Sequence, residues 1–426
     1  MEKIEFKSLG EVMYHQVMEN GLNVFVFPKP EFQKGYAFFA TNYGGMDTRF
    51  CLDGVWYDTP AGVAHYLEHK NFDTREGNAL QDLAANGASP NAFTSAAITG
   101  YYFESTEKFM ENLRILLSFV SEPYFTQESV EKEQGIIGQE IGMIEDNPEW
   151  RVFMNLMKAM FANHPIRESV AGSVESISHI TAQTLYDCHK AFYDPANMVL
   201  CVAGPVTAQE VCQAAREILP EQPGSIAEKD YGAKEENRVA QSVIEEKMEV
   251  SIPLFQIGYK GDDPGKGEQN LRQELVAQLA LEALLGNSSP LYARLYREGL
   301  INQSFAYGYE SYPECAFLTV GGESKNPEKV CKAIGEEAQR ISQDGIDEKL
   351  WARLKKGCYG AKVRGLNSFE SLCVSQAQAF FIGADFLRFG ELFEMLEKKE
   401  AEDMIAAWVT GERTALSVIW PGEEQA

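Results

Sequence analysis

Thr59-Pro60-Ala61-Gly62-Val63-Ala64-His65-Tyr66-Leu67-Glu68-His69 is the stretch on which the reading of this chain turns. His65 and His69 are four apart, so an α-helix stacks them on one face, with Glu68 between them in sequence. Neutral imidazoles at that spacing can hold one zinc ion. Glu68 sits where it can work on a zinc-bound water. The order H-x-x-E-H is the reverse of the commoner H-E-x-x-H. Thr59 is expected to cap the helix, Pro60 to open it, and Val63, Ala64 and Leu67 to face a core. The competing reading is a chance match between ordinary packed or surface histidines.

A catalytic zinc site takes three protein ligands and leaves a position for water, and the third ligand is often a carboxylate. The best region for it runs from Phe125 to Glu149. Thr126 can cap a helix there, and Glu128 suits its first turn. Glu133 and Glu140 are two turns apart, nearly in line on one face. Ile136, Ile137 and Ile141 imply that much of this helix is buried, where a carboxylate needs a partner such as a metal. On spacing alone, solvated helix carboxylates are the simpler reading in a chain with 63 acidic residues.

Further landmarks stand in order. Asn91-Ala92-Phe93-Thr94-Ser95 lies between the two helices, and Tyr193-Asp194-Pro195-Ala196-Asn197-Met198 precedes the strand-like Leu200 to Gly204. Together with the histidine box and the paired glutamates, they resemble the insulinase/pitrilysin family of inverted-zincin metallopeptidases, and most closely its small bacterial members. The resemblance implies one Zn2+ per chain, held by His65, His69 and Glu140. It makes Glu68 the general base and Glu133 the carboxylate that orients a ligand. It implies an α+β fold of two structurally repeated domains, each an antiparallel-rich sheet covered by helices, facing each other as a clamshell. A substrate peptide would then add as a strand beside Asn91 and Ala92, although Asn91 also reads as a turn residue after Pro90.

One departure from the family matters. Its members often hold substrate with an arginine and a tyrosine from the second domain. Arg297 fits the arginine, but the tyrosine position falls most naturally on Phe305, which has no hydroxyl. Tyr307 lies on the same face of that strand and can substitute. In related two-chain peptidases a companion subunit supplies these groups. The resemblance therefore implies a second family subunit as partner, with a homodimer as the other arrangement.

The chain of 426 residues exceeds one typical core, so two domains are expected, and 45% hydrophobic content supports globular structure throughout. The breaker-rich and then charged stretch from Pro220 divides it into a catalytic domain (1–220), a linker (221–242) and a non-catalytic repeat domain (243–426). No apolar run is long enough for a membrane span, and Met1 to Lys7 lacks a signal-peptide core. The eight cysteines form no C-x-x-C pair and read as reduced thiols of a cytoplasmic protein. A net charge of −25 argues against a nucleic-acid partner, whose phosphates need a basic surface. It suits basic or neutral peptides drawn to an acidic cavity, or simply solubility.

The two halves read as diverged copies. Phe103 to Lys108 and Gly322 to Lys329 both lead into amphipathic helices, and Gly87 to Phe93 echoes Gly299 to Phe305. Thr126 to Glu140 has its counterpart in Asp347 to Lys362, which lacks acidic residues in register, and no histidine follows His189. Only the first copy can carry this metal. The chain therefore reads as a zinc-dependent peptidase acting on peptides or unfolded segments, alone or as the active subunit of a heterodimer. The alternative is a non-catalytic peptide-binding or assembly subunit that retains zinc. The complete ligand-and-base set favours the enzyme, since a structural site has no use for Glu68.

Overall fold

Gly35–Thr41 and Met198–Gly204 are short runs, apolar at nearly every position, bounded by turn residues. Such strands fit a sheet covered on both faces. The computed structural model describes residues 1–422, and both runs are buried along their whole length. They lie at the centre of a seven-stranded sheet. Its strands are β1 (Glu2–Phe6), β2 (Glu11–Val17), β3 (Asn23–Pro28), β4 (Gly35–Thr41), β7 (Ser89–Thr94), β8 (Thr99–Ser105) and β9 (Met198–Gly204), in the order β1-β2-β3-β9-β4-β8-β7. A small sheet of β5 (Arg49–Leu52), β6 (Val55–Asp58) and β10 (Glu228–Lys229) lies in the order β10-β5-β6.

The second main sheet holds β11 (Val243–Met248), β12 (Leu254–Lys260), β13 (Ala306–Tyr312), β14 (Cys315–Glu323) and β15 (Thr414–Pro421), in the order β11-β15-β12-β14-β13. β3 and β9 run parallel, as do β11 and β15, and every other neighbouring pair in the two main sheets is antiparallel. The series β3-β9-β4-β8-β7 and β11-β15-β12-β14-β13 thus share order and direction. The internal repeat is visible in topology, with β1 and β2 added to the first copy. Each copy is an antiparallel-rich sheet with helices, the α+β class expected.

The chain packs into two compact units that interleave in sequence. Among the described residues, one contains 1–141, 168–231 and 363–387; the other contains 142–167, 232–362 and 388–422. Helix Pro148–Met160 comes from the first half of the sequence and covers β12 and β15. Helix Phe369–Phe381 comes from the second half and covers β9 and β4. Phe380 meets Phe25 edge-on at 5.6 Å, and Phe369 meets Phe32 at 5.1 Å. The exchange is reciprocal, because β9 and β4 correspond to β15 and β12. Sequence halves and packed units are therefore different divisions of this chain.

The polar segment 221–242 is anchored rather than loose. In the first unit the buried Asp47 accepts hydrogen bonds from Lys229 Nζ (2.9 Å) and the Tyr231 hydroxyl (3.0 Å). In the second, the buried Lys260 donates to Glu235 at 2.6 Å. All eight cysteines are free thiols. Among the described residues, no helix is long and apolar enough to cross a membrane.

His189, in helix Ala182–Phe192, is a buried histidine outside the candidate ligand group. It stacks on Tyr193 at 4.6 Å, and its Nε2–H donates to the Val120 carbonyl at 2.9 Å. Burial pushes its pKa down to about 4. The folded state thus favours neutral His189, so its stabilising contribution is complete above the unfolded pKa near 6.5. It is lost as pH falls from there through the folded value, and amounts to about 3 kcal/mol. His189→Gln keeps a donor for Val120. It is expected to flatten the loss of stability between pH 6.5 and 4, as read from denaturant midpoints.

Candidate metal centre and active site

The helix bearing the histidine box spans Val63–Asn71, not the longer stretch expected from Thr59. Thr59 does not cap it. Its N–H and hydroxyl both donate to the Thr48 carbonyl, at 2.7 and 3.0 Å, which ties it to the β5–β6 hairpin. The chain turns into the helix at Gly62, with φ +97°. A Cβ there would lie 2.6 Å from the Ala171 carbonyl oxygen, so glycine is required for both torsion and space. Val63, Ala64 and Leu67 are buried, as expected.

The second helix, Gln127–Glu145, is capped by Thr126, whose Oγ1 accepts from Ser129 N at 3.1 Å. It is buried along a narrow stripe of Val130, Ile137 and Ile141. Ile136, expected inside, is 50% exposed, because it falls one step off that stripe. Gly135, Gly138 and Gly142 have open space where a Cβ would stand. Each Gly→Ala change is expected to add roughly 0.5–1 kcal/mol through helix propensity alone. A higher melting temperature of the triple variant checks this; a lower one would mean the helix needs those glycines.

The two helices bring the predicted residues together. Glu140 Oε1 lies 3.6 Å from His65 Nε2, and Glu140 Oε2 lies 3.5 Å from His69 Nε2. The two imidazole rings are 4.7 Å apart at 65°. Glu133 Oε1 is 3.2 Å from His69 Nδ1. With that nitrogen donating to Glu133, the Nε2 lone pair is left facing Glu140. One ligand atom from each of His65, His69 and Glu140 falls within 4.8 Å of the others. Among the described residues this is the one such His, Cys, Asp and Glu group. Ligand atoms on a tetrahedral zinc, with bonds of about 2.0–2.1 Å, stand roughly 3.3 Å apart, and each histidine Nε2 lies near that distance from one oxygen of Glu140. Two nitrogens and one carboxylate oxygen also match zinc in chemistry.

The electrostatics suit metal binding. Burial, reinforced by His69, pushes His65 down to about 4, so it is neutral at pH 7, and its buried Nδ1 has no hydrogen-bond partner. Burial alone would lower His69 as well, but the Glu133 hydrogen bond and the Glu68 and Glu140 carboxylates raise it overall. The His69 hydrogen bond holds Glu133 below the usual carboxylate range. Glu68 is 9% exposed, and burial raises its pKa against the opposing hydrogen bond from Thr94. A carboxylate with a raised pKa beside a metal site is better suited to accepting a proton.

Thr94, within the Asn91 to Ser95 stretch, contacts the candidate base. Its hydroxyl donates to Glu68 Oε2 at 2.7 Å, which ties the candidate base to β7. Thr99, paired with Thr94 across β7 and β8, donates to the Tyr43 carbonyl at 2.9 Å. β7 is an edge strand bonded only to β8. Asn91 and Ala92 lie in it opposite Tyr102 and Tyr101, so Asn91 belongs to a strand and not to a turn. Asn91 is exposed, and its Oδ1 accepts from Ala92 N at 2.9 Å.

Arg297 and Tyr307 belong to the second unit. Arg297 ends helix Pro290–Arg297 and is exposed. Tyr307 lies in the edge strand β13, and its hydroxyl donates to Glu282 Oε1 at 2.9 Å; burial and that carboxylate raise its pKa. In the helix Glu348–Gly365, the counterpart of the Glu140 helix, Lys362 donates to Glu274 at 2.7 Å.

Comparison with known proteins gives the family of the chain. Residues 53–174 match the family model for insulinase (peptidase family M16), and residues 179–358 match the model for the peptidase M16 inactive domain. The chain is similar to the zinc protease YmfH of Bacillus subtilis, at 37% identity over 99% of each chain. A solved M16-like peptidase from Alicyclobacillus acidocaldarius superimposes with a TM-score of 0.93 at 31% identity, covering 97% of this chain and 99% of that one. The beta subunit of rat mitochondrial-processing peptidase is 27% identical over 212 residues, 47% of this chain and 40% of that one. The chain belongs to the insulinase family of peptidases, family M16.

Proposed function

We propose that this chain is a zinc-dependent peptidase that hydrolyses peptide bonds in peptides or unfolded segments. His65, His69 and Glu140 hold the ion, Glu68 is the general base, and Glu133 orients His69. The observation that carries this reading is one Glu140 carboxylate 3.6 and 3.5 Å from the two histidine Nε2 atoms, on a helix that also brings Glu133 to His69 Nδ1. The similarity to a zinc protease over the full chain supports it. A bound zinc ion supplies Lewis acidity and makes water nucleophilic near neutral pH. Glu68 accepts the proton of the attacking water and passes it to the leaving amine. Thr94 holds Glu68 Oε2, which leaves Oε1 for the proton. An extended peptide pairs with the β7 edge at Asn91 and Ala92, giving affinity without a demand on side chains.

Arg297 and Tyr307 are the proposed substrate-holding groups of the second half, and using Tyr307 requires its bond to Glu282 to exchange. We propose residues 1–220 as the catalytic half and 243–426 as the non-catalytic repeat, joined through 221–242, in a cytoplasmic protein. A second family subunit is the proposed partner, supported by the similarity to a protein named as a subunit; a homodimer is the alternative.

The test is a mixed peptide library digested by the purified chain, with and without a chelator, and with companion family chains added. Cleavage that chelation removes and zinc restores is expected. Absence of cleavage under every condition, with zinc bound, would favour the non-catalytic peptide-binding or assembly role.

A further inference from the structure

Lys70 follows His69 directly and is 2% exposed, in a chain where nearly every other lysine reaches solvent. A buried ammonium is costly unless it is paired and hydrogen-bonded. Here its partners come from both helices of the candidate site. Nζ pairs with the Asp73 carboxylate just beyond its own helix. It also donates to the Ser129 carbonyl at 3.4 Å, and lies 3.9 Å from Glu133 Oε2. One turn earlier on the same helix, the Tyr66 hydroxyl donates to the Val130 carbonyl. The histidine helix thus docks onto adjacent carbonyls, Ser129 and Val130, at the start of the helix that carries Glu133 and Glu140. Docking at that point sets the rotation and height of both glutamates relative to His65 and His69. The two oxygens of Glu133 are divided, with Oε1 on His69 Nδ1 and Oε2 toward the Lys70 ammonium.

We infer that Lys70 is a positioning residue for the metal centre, holding Glu133 by charge so that Glu133 can fix the orientation of His69. The inference rests on the zinc reading above. The physical chain is short. The ammonium keeps Glu133 in one rotamer, with Oε1 on His69 Nδ1. Held there, Glu133 fixes the ring orientation of His69. The Nε2 lone pair then points at the ion without reorganisation. Without Lys70, Glu133 is free to rotate toward solvent, and His69 loses a defined orientation.

The test uses the full chain and four variants: Lys70→Met, Lys70→Gln, Glu133→Gln and the double Lys70→Met/Glu133→Gln. Zinc affinity is measured by chelator competition, and the site geometry by the visible spectrum of the cobalt-substituted protein. Lys70→Met is expected to weaken zinc about 10-fold and to change the cobalt spectrum, as loss of an outer partner does. Lys70→Gln keeps a donor for Ser129 and removes only the charge. It should show the same loss, and it carries the test if the methionine variant fails to fold. In the Glu133→Gln background the lysine change should add less than about 2-fold, because its route to the metal is already cut. Wild-type affinity in both Lys70 variants overturns the inference alone, as does an undiminished second loss in the double variant. A wild-type chain that binds no zinc overturns the metal reading and this inference with it.

Discussion

Glu68→Gln is expected to keep one zinc ion per chain and to lower kcat by roughly 10²–10⁴-fold, the range associated with a positioned general acid–base group. Glutamine preserves the shape of the side chain and can still accept from Thr94, whose hydroxyl donates to Glu68 Oε2 at 2.7 Å. It cannot take up a proton. The substitution also removes a buried carboxylate whose pKa is raised, so folding stability should hold or rise slightly. KM should change little, because the lost interaction is made to the attacking water and not to the peptide. Equal zinc content with kcat within a few-fold of wild type would assign the proton transfer to another group.

Cutting the chain within 221–242 is expected to leave neither half folded on its own, while the two halves expressed together regain a cooperative melt. The reason lies in the exchanged helices. A fragment of residues 243–426 lacks helix Pro148–Met160, which covers β12 and β15 and buries Val152, Leu156, Met157 and Met160. At about 1.5–3 kcal/mol for each large apolar side chain, the lost burial is roughly 6–12 kcal/mol. That rivals the whole net stability of a domain, about 5–15 kcal/mol. A fragment of residues 1–220 lacks helix Phe369–Phe381, with Leu372, Cys373 and Ala377 buried against β9 and β4. Circular dichroism melts of each fragment, alone and co-expressed, check this. A cooperative native-like melt for residues 1–220 alone would contradict it.

The site was legible because its geometry is helical arithmetic. His65 and His69 at i and i+4, and Glu133 and Glu140 two turns apart, need only straight helices to share a face. That Glu140 reaches both histidines is a tertiary fact, and the spacing alone left it open. Local signals misled where a tertiary partner outbid them. Thr59 has the right chemistry for a cap, but the Thr48 carbonyl takes it and the helix waits for Gly62. Ile136 looked interior in a run with Ile137, yet the buried stripe is too narrow to hold both. The repeat was suggested by matching strand-to-helix transitions. The helix exchange was not, since no local pattern states which of two similar sheets an amphipathic helix will cover. The burial of Lys70 depends on Asp73, Ser129 and Glu133 converging on it, which no local pattern states.

The central claim is that His65, His69 and Glu140 form one zinc site, and metal analysis of purified chains after dialysis against trace zinc tests it most directly. The account predicts one zinc per wild-type chain, one in Glu68→Gln, and a loss of at least about 100-fold in affinity for His69→Ala and Glu140→Gln, since each removes one of three ligands. A wild-type chain without zinc, or full zinc retention in both ligand variants, would contradict it.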